Sequence, residues 1–281
     1  MEPGRRIFYT FACFVLLLHP IAQAAGPDIT VKPCKGMIKS TFETLTIDAE
    51  WNIDWPVEIA GASEVVVSAI RRQICQDALV QPFGGGWDES ESNSYDRIDY
   101  AQGGLFRSVL RKVNEKEDSY LTRALYYRAD LKISLLSDGF LGYTLNGCQN
   151  EGGGGCHSYT VVRVISLSTG RPLIESEFIP TNNFPALIRK IIKNVCTARK
   201  IEVLQPDELP EIMDKGNFII EKKGIRWYLP AYSVFCGADG VQNMLVTWDE
   251  LRPFFGDPNY LKAFQKMDLS QKKVKRIQPK D

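Results

Sequence analysis

The sequence predicts an α+β fold of antiparallel sheets with packed helices, stapled by disulfides. Three observations predict it. Strictly alternating apolar runs follow one another as hairpins, not one by one with helices, which argues against a doubly wound sheet. Other segments carry apolar residues at helical spacing. Of the seven cysteines, all but one lie beyond an N-terminal leader, as suits a chain folding in an oxidising compartment.

Arg5 and Arg6 precede the apolar run Ile7 to Leu18, and Pro20 and Ala22-Gln23-Ala24 follow it. A basic start, a short apolar stretch and an A-x-A site read as a signal peptide cleaved after Ala24. The run is about 12 residues long, short of the roughly 20 that span a bilayer. The expectation is therefore a periplasmic or secreted protein with no transmembrane anchor. Cleavage removes Cys13 and leaves Cys34, Cys75, Cys148, Cys156, Cys196 and Cys236, an even set that reads as disulfides. Cys148 and Cys156 flank a glycine-rich loop and are expected to pair. Cys34–Cys75 and Cys196–Cys236 are the simplest completion. A metal site is the alternative, but no C-x-x-C spacing occurs and one mature histidine remains, so neither metal nor cofactor is expected.

Lys+Arg and Asp+Glu both number 34 in 281 residues. A chain without basic excess is a poor candidate for nucleic-acid binding. Losing Glu2, Arg5 and Arg6 with the leader takes two positive charges and one negative, so the mature charge is −1. The 44% hydrophobic content excludes a disordered chain and suffices for one large domain or two small ones.

Residues 25–40 read as an irregular arm. Leu45, Ile47, Ala49, Trp51, Ile53 and Trp55 alternate with Thr46, Asp48, Glu50, Asn52 and Asp54, giving a half-buried strand ended by Pro56. Ser63 can cap a helix with the stripe Val66, Ile70, Ile74 and Ala78. Residues 82–95 form a loop, and Asp96 can cap a helix with Ile98, Ala101, Leu105, Val109 and Val113 on one stripe. Leu125 to Leu135 alternates, Ser137-Asp138-Gly139 turns, and Phe140 to Leu145 returns. Tyr159, Val161, Arg163, Ile165 and Leu167 alternate before a turn at Ser168-Thr169-Gly170. Phe184, Leu187, Ile188, Ile191, Ile192 and Val195 mark a helix. A hairpin spans Asn217 to Leu229, Val241 to Val246 is a strand, and Thr247 to Glu250 is a capping box. The tail from about Gln265 is polar and basic and reads as disordered.

Three segments carry a family resemblance. Gly152-Gly153-Gly154-Gly155-Cys156-His157 resembles a Gly-Gly-Ala-His element. Leu167-Ser168-Thr169-Gly170-Arg171-Pro172-Leu173 with Phe178 resembles the hairpin beside it. Asn217 to Ile220, Gly224-Ile225, Trp227-Tyr228, Pro230 to Val234 and Gly240-Val241 resemble a C-terminal signature of glycine, aromatic strand and Pro-x-Tyr. Together they resemble the paired extracytoplasmic domains of RsiV-type anti-sigma factors and PdaC-type polysaccharide deacetylases, over roughly residues 41–256. The resemblance implies an N-terminal α+β domain at 41–180 and a C-terminal one at 181–256, set between the signal peptide at 1–24 with its arm at 25–40 and a basic tail at 257–281. It also implies lysozyme binding, the property of the RsiV-type region. The deacetylase chemistry of the PdaC type belongs to a separate domain whose metal site has no counterpart here.

Among candidate residues, His157 is the lone mature histidine. As a general base it needs a nucleophile and an orienting carboxylate, and the simpler reading is a loop histidine bonded to backbone. The glycines 152–155 lack the G-K-[ST] ending of a phosphate cradle. Trp87 with Asp88, Glu89, Glu91, Tyr95 and Asp96 offers an aromatic anchor with an acidic rim, suited to a basic protein or a stacked sugar. Those carboxylates lack the order of a calcium loop. The expectation is a non-enzymatic, exported binding module recognising lysozyme or a peptidoglycan glycan. An envelope hydrolase using His157 and a structural envelope factor are the alternatives.

Overall fold

A computed structural model describes residues 29–42, 45–80, 125–137, 139–151, 156–200, 215–229, 240–267, 269 and 274–277. The leader at 1–24, loop 82–95, the helix expected from Asp96, and Cys236 lie outside the described residues.

Strands β1 (Ile29–Phe42) and β2 (Leu45–Ile59) form a long antiparallel hairpin. The alternation of β2 does what its sequence demands, but the strand does not stop at Pro56: it runs on to Ile59, the proline sitting beside an irregularity in the pairing where it is tolerated. Ala49, Trp51, Ile53 and Trp55 are buried, and Asp48 and Glu50 face outward. The segment expected to be an irregular arm is β1 itself. Pro33, Gly36 and three lysines break its own alternation, so its extended form comes from pairing along its length with β2, a tertiary effect that the local pattern hides.

Helix α1 (Glu64–Cys75) starts at Ser63, whose Oγ accepts from Val66 N at 3.4 Å. It lays Val66, Val67, Ile70 and Ile74 on the sheet's inner face. A wider, π-helical turn (Gln76–Val80) follows and carries Asp77 and Ala78 inward. Tyr127 Oη donates to the Ala78 carbonyl. Strands β3 (Leu125–Leu136), β4 (Phe140–Glu151) and β5 (His157–Ser166) complete an antiparallel meander. The α+β class is as expected, but the large sheet is mixed. β3 runs parallel to β2, because the chain crosses over between Ile59 and Leu125, and these strands lie in the order β5-β4-β3-β2-β1, with a further strand from the C-terminal end beside β1.

Strand β5 faces two cores. Ile165, with Tyr159 and Val161, packs with α1 and the inner face, while Val164 belongs to a second core on the other side. That second core is built by helix α2 (Phe184–Arg199), by the antiparallel sheet β6 (Phe218–Glu221), β7 (Gly224–Leu229) and β8 (Gln242–Thr247), and by the short helix α3 (Trp248–Leu251). Phe178 sits at its centre, edge-on to Phe218 at 5.4 Å and to Phe264 at 5.3 Å, a geometry aromatic rings favour. The expected capping box forms, with Thr247 N donating to Glu250 Oε2 at 3.0 Å, and that donation with Lys190 beside it lowers the carboxyl's pKa.

The basic tail at 257–281 forms a helix ahead of the stretch expected to be disordered and, within that stretch, a short strand. Helix α4 (Pro258–Gln265) buries Leu261 and Phe264 in the second core, and β9 (Val274–Arg276) pairs parallel with Ile29–Val31. Two apolar residues one helical turn apart were enough to dock it, and the surrounding lysines concealed them.

One row crosses the whole inner face: Gly36, Trp51, Ala129, Gly147 and Tyr159, taken from β1 to β5. Aromatic rings lie on glycines at both ends. A Cβ on Gly36 would come within 2.0 Å of Trp51 Cζ2, and one on Gly147 within 2.1 Å of Tyr159 Cζ. Rings covering cross-strand glycines fill the space the missing side chains leave. Gly147→Ala should therefore destabilise the protein by about 1–3 kcal/mol, the usual range for overpacking. Urea denaturation checks this, and adding Tyr159→Ala to the variant should recover part of the loss.

Candidate binding surface

Two groups of polar side chains stand out, one enclosed and one open. The enclosed group holds the two cores together. Arg163 points to the α1 side of β5, and its Nε reaches Asp77 Oδ2 at 2.9 Å while Nη2 reaches Oδ1 at 3.2 Å. Asp77 also accepts from Tyr143 Oη at 2.7 Å and Gln73 Nε2 at 3.2 Å. Nη1 of Arg163 donates to the Lys215 carbonyl at 2.7 Å, on the approach to β6. Burial works against the charge on Arg163, but Asp77 outweighs it and raises the pKa above its ordinary value, with a smaller push from Glu175. Burial and the neighbouring Asp77 push the Tyr143 phenol well up, against the opposing pull of Arg163, so it stays a donor.

Glu175, 1% exposed, extends the group into the second unit. It accepts from Gly216 N at 3.0 Å and Trp227 Nε1 at 3.2 Å. Gly216 has φ +63, and a Cβ there would meet the Leu173 carbonyl at 2.7 Å, so the turn that brings its N–H to Glu175 requires glycine. Beside it, Asn217 Oδ1 accepts from Val162 N at 2.9 Å and its Nδ2 donates to the Tyr228 carbonyl at 2.8 Å, tying β5 to β7. With Leu173 N donating to the Val164 carbonyl at 2.7 Å, these contacts cover the outer edge of β5.

Sequence reasoning named Arg163 only as a member of an alternating strand and passed over Asp77 and Glu175. The signal was present. A charge at an inward position of an apolar run needs a partner.

The open group is the outward face of β1–β4 together with the start of β5. Asn52, Asp130, Asn146 and Thr160 fall in one row across four strands, with Lys35 at its β1 end. Asn52 Nδ2 donates to Asp130 Oδ1 at 2.7 Å, Lys132 Nζ lies 3.1 Å from the same oxygen, and Thr160 Oγ1 donates to Asn146 Oδ1 at 3.0 Å. In the next row Arg128 pairs with Glu50 at 3.5 Å and stacks over Tyr126, 5.1 Å from the ring centre. Lys39 and Asp48 follow at 3.8 Å. Met37 is 62% exposed among them. The face closes at Asp54, which Arg276 of β9 covers at 3.1 Å and which accepts from Ile133 N at 3.3 Å.

Cys148 and Cys156 are joined, Cα to Cα 5.7 Å, at the end of β4 and β5 beside this face. His157 is the exposed first residue of β5, opposite Gln149 and next to that disulfide. Trp87, Asp88, Glu89, Glu91 and Tyr95 lie outside the described residues. No described helix is long and apolar enough to cross a membrane. Among the described residues no group of three or more His, Cys, Asp or Glu is placed to hold a metal ion.

Severing the enclosed pair tests its part in the fold. Asp77→Ala leaves Arg163 buried without its carboxylate and should lower stability by about 3–5 kcal/mol. Asp130→Ala on the open face should change it by no more than about 1 kcal/mol. Parallel urea titrations compare the two.

No family model matches the sequence, and no curated protein matches it. Among solved structures, the fold is similar to that of a DUF3298 family member from Bacteroides fragilis NCTC 9343. The TM-score is 0.59 at 13% identity, covering 86% of this chain and 99% of that one. A DUF3298 family protein from Pseudomonas aeruginosa PAO1 aligns with a TM-score of 0.48 at 9% identity, over 82% of this chain and 95% of that one. At such identity the first likeness shows a shared fold and nothing finer.

Proposed function

We propose that the chain is a non-enzymatic, exported binding module of the cell envelope, recognising a wall glycan or lysozyme. The observation that carries this reading is the row Asn52, Asp130, Asn146 and Thr160, with Arg128 stacked on Tyr126 alongside. Exposed ion pairs and hydrogen bonds contribute only about 0–1 kcal/mol each to stability. An ordered array of them across a flat sheet therefore does little for the fold, but it presents donors and acceptors already held in place. Pre-set polar groups beside an aromatic ring suit a ligand rich in hydroxyls and amides.

The signs on this face are mixed, with Lys35, Lys39, Arg128 and Lys132 near Asp48, Glu50 and Asp130. That mixture favours a glycan over a strongly basic protein. The lysozyme reading rests instead on the acidic loop around Trp87 and on the resemblance to the RsiV-type domains. Export, in turn, rests on the signal-peptide pattern and suits the Cys148–Cys156 disulfide.

Calorimetric titration of the mature protein with peptidoglycan fragments, and separately with lysozyme, tests the two versions. Asp130→Ala and Arg128→Ala should each weaken glycan binding about tenfold, equivalent to about 1.4 kcal/mol, with an unchanged melting temperature. Trp87→Ala should weaken lysozyme binding and leave the glycan titration as it was. Heat from neither ligand at millimolar concentration would end both versions.

A further inference from the structure

We propose that Cys34 and Cys75 are joined in a second disulfide, enclosed in the first core, that ties strand β1 to the end of helix α1. Cys34 lies on the inward side of β1, opposite Ile53, and is 4% exposed. Cys75 is the last residue of α1 and is 0% exposed. Both belong to one hydrophobic cluster with Ile53, Ile70 and Ile74. In the structure the two sulfurs are not joined, but they share that cluster and lie near enough for each to bear on the other's charge. Burial, and then the neighbouring Cys34, push the Cys75 thiol up to about 12. Two sulfurs in a dry core, with no third ligand placed beside them among the described residues, suit a disulfide better than a metal.

The sequence offered this pair only as what remained after others were matched. The fold adds a reason. β1 keeps its place by pairing, since its own pattern is weak, and β9 covers only Ile29–Val31 of its outer edge. A bond from Cys34 to α1 would anchor that strand from the inside. It would also close a loop of about 40 residues, and longer loops constrain the unfolded chain more.

The chemistry sets when the bond forms. One cysteine thiolate attacks a small disulfide oxidant such as oxidised glutathione, giving a mixed disulfide and one released thiol. The second cysteine then attacks the protein sulfur of that mixed disulfide, and a second thiol leaves. Two cysteine thiols are oxidised, the oxidant is reduced to two thiols, and the two protons finish on those thiols. A buried thiol with a raised pKa has almost no thiolate at neutral pH. Oxidation therefore belongs to folding, before the core closes, and the finished bond is shielded from reductant. Cys156, by contrast, is exposed.

The test uses the full chain, refolded from the reduced, denatured state in a glutathione buffer. Free thiols are then alkylated in denaturant without reductant, and the protein is digested and mapped by mass spectrometry. A linked peptide pair containing Cys34 and Cys75 is expected. Both residues alkylated, or either one linked elsewhere, would overturn the proposal. A second measurement needs no variant: under dithiothreitol in native buffer, Cys148–Cys156 should become alkylatable at least tenfold faster than Cys34 and Cys75. Equal rates would overturn the enclosed placement.

Discussion

The fold turns on one ion pair. Arg163 and Asp77 meet through two hydrogen bonds where β5, the turn after α1 and the approach to β6 converge. Burying two opposite charges gains little unless every remaining donor and acceptor is met. Here they are met by Tyr143, Gln73 and the Lys215 carbonyl. The pair thus fixes relative position more than it adds stability. If β5 slipped by one residue, Arg163 would turn to the face where Val162 and Val164 now lie, and Asp77 would be left alone in the core.

From that point the two cores follow. An edge strand normally exposes a row of backbone groups. β5 avoids this because its outer edge is met by Leu173 and by the side chain of Asn217, and its outward face by the second core. The second unit covers one end of the large sheet and stops there. What it leaves uncovered is the polar face of β1–β4 and the start of β5. The same arrangement that stabilises β5 therefore decides which surface stays open to a partner.

Much of this was legible in the sequence, and the residues show why. The alternation of Leu45 to Trp55 and the stripe of α2 sit in local periodicity, which physics reads directly. β1 and β9 are strands because of their neighbours, and no local pattern reports that. The parallel pairing of β2 with β3 is a matter of how the chain crosses over, which apolar spacing does not encode. Sequence reasoning sought the site at rare features, His157 and the cluster around Trp87. The row Asn52, Asp130, Asn146 and Thr160 is built from common residues on strands far apart in sequence, and only register brings them together.

That row also explains how one sheet serves two purposes. Its inner side tolerates no change of size, because Trp51 and Tyr159 lie directly on glycines of neighbouring strands. Its outer side is free to vary, because exposed pairs such as Glu50–Arg128 contribute little to folding. The rigid inner row holds the strands in the register that aligns the outer one. A change that disturbs Gly36 or Gly147 would thus reach the proposed binding face through the backbone, without touching any residue of the outer row.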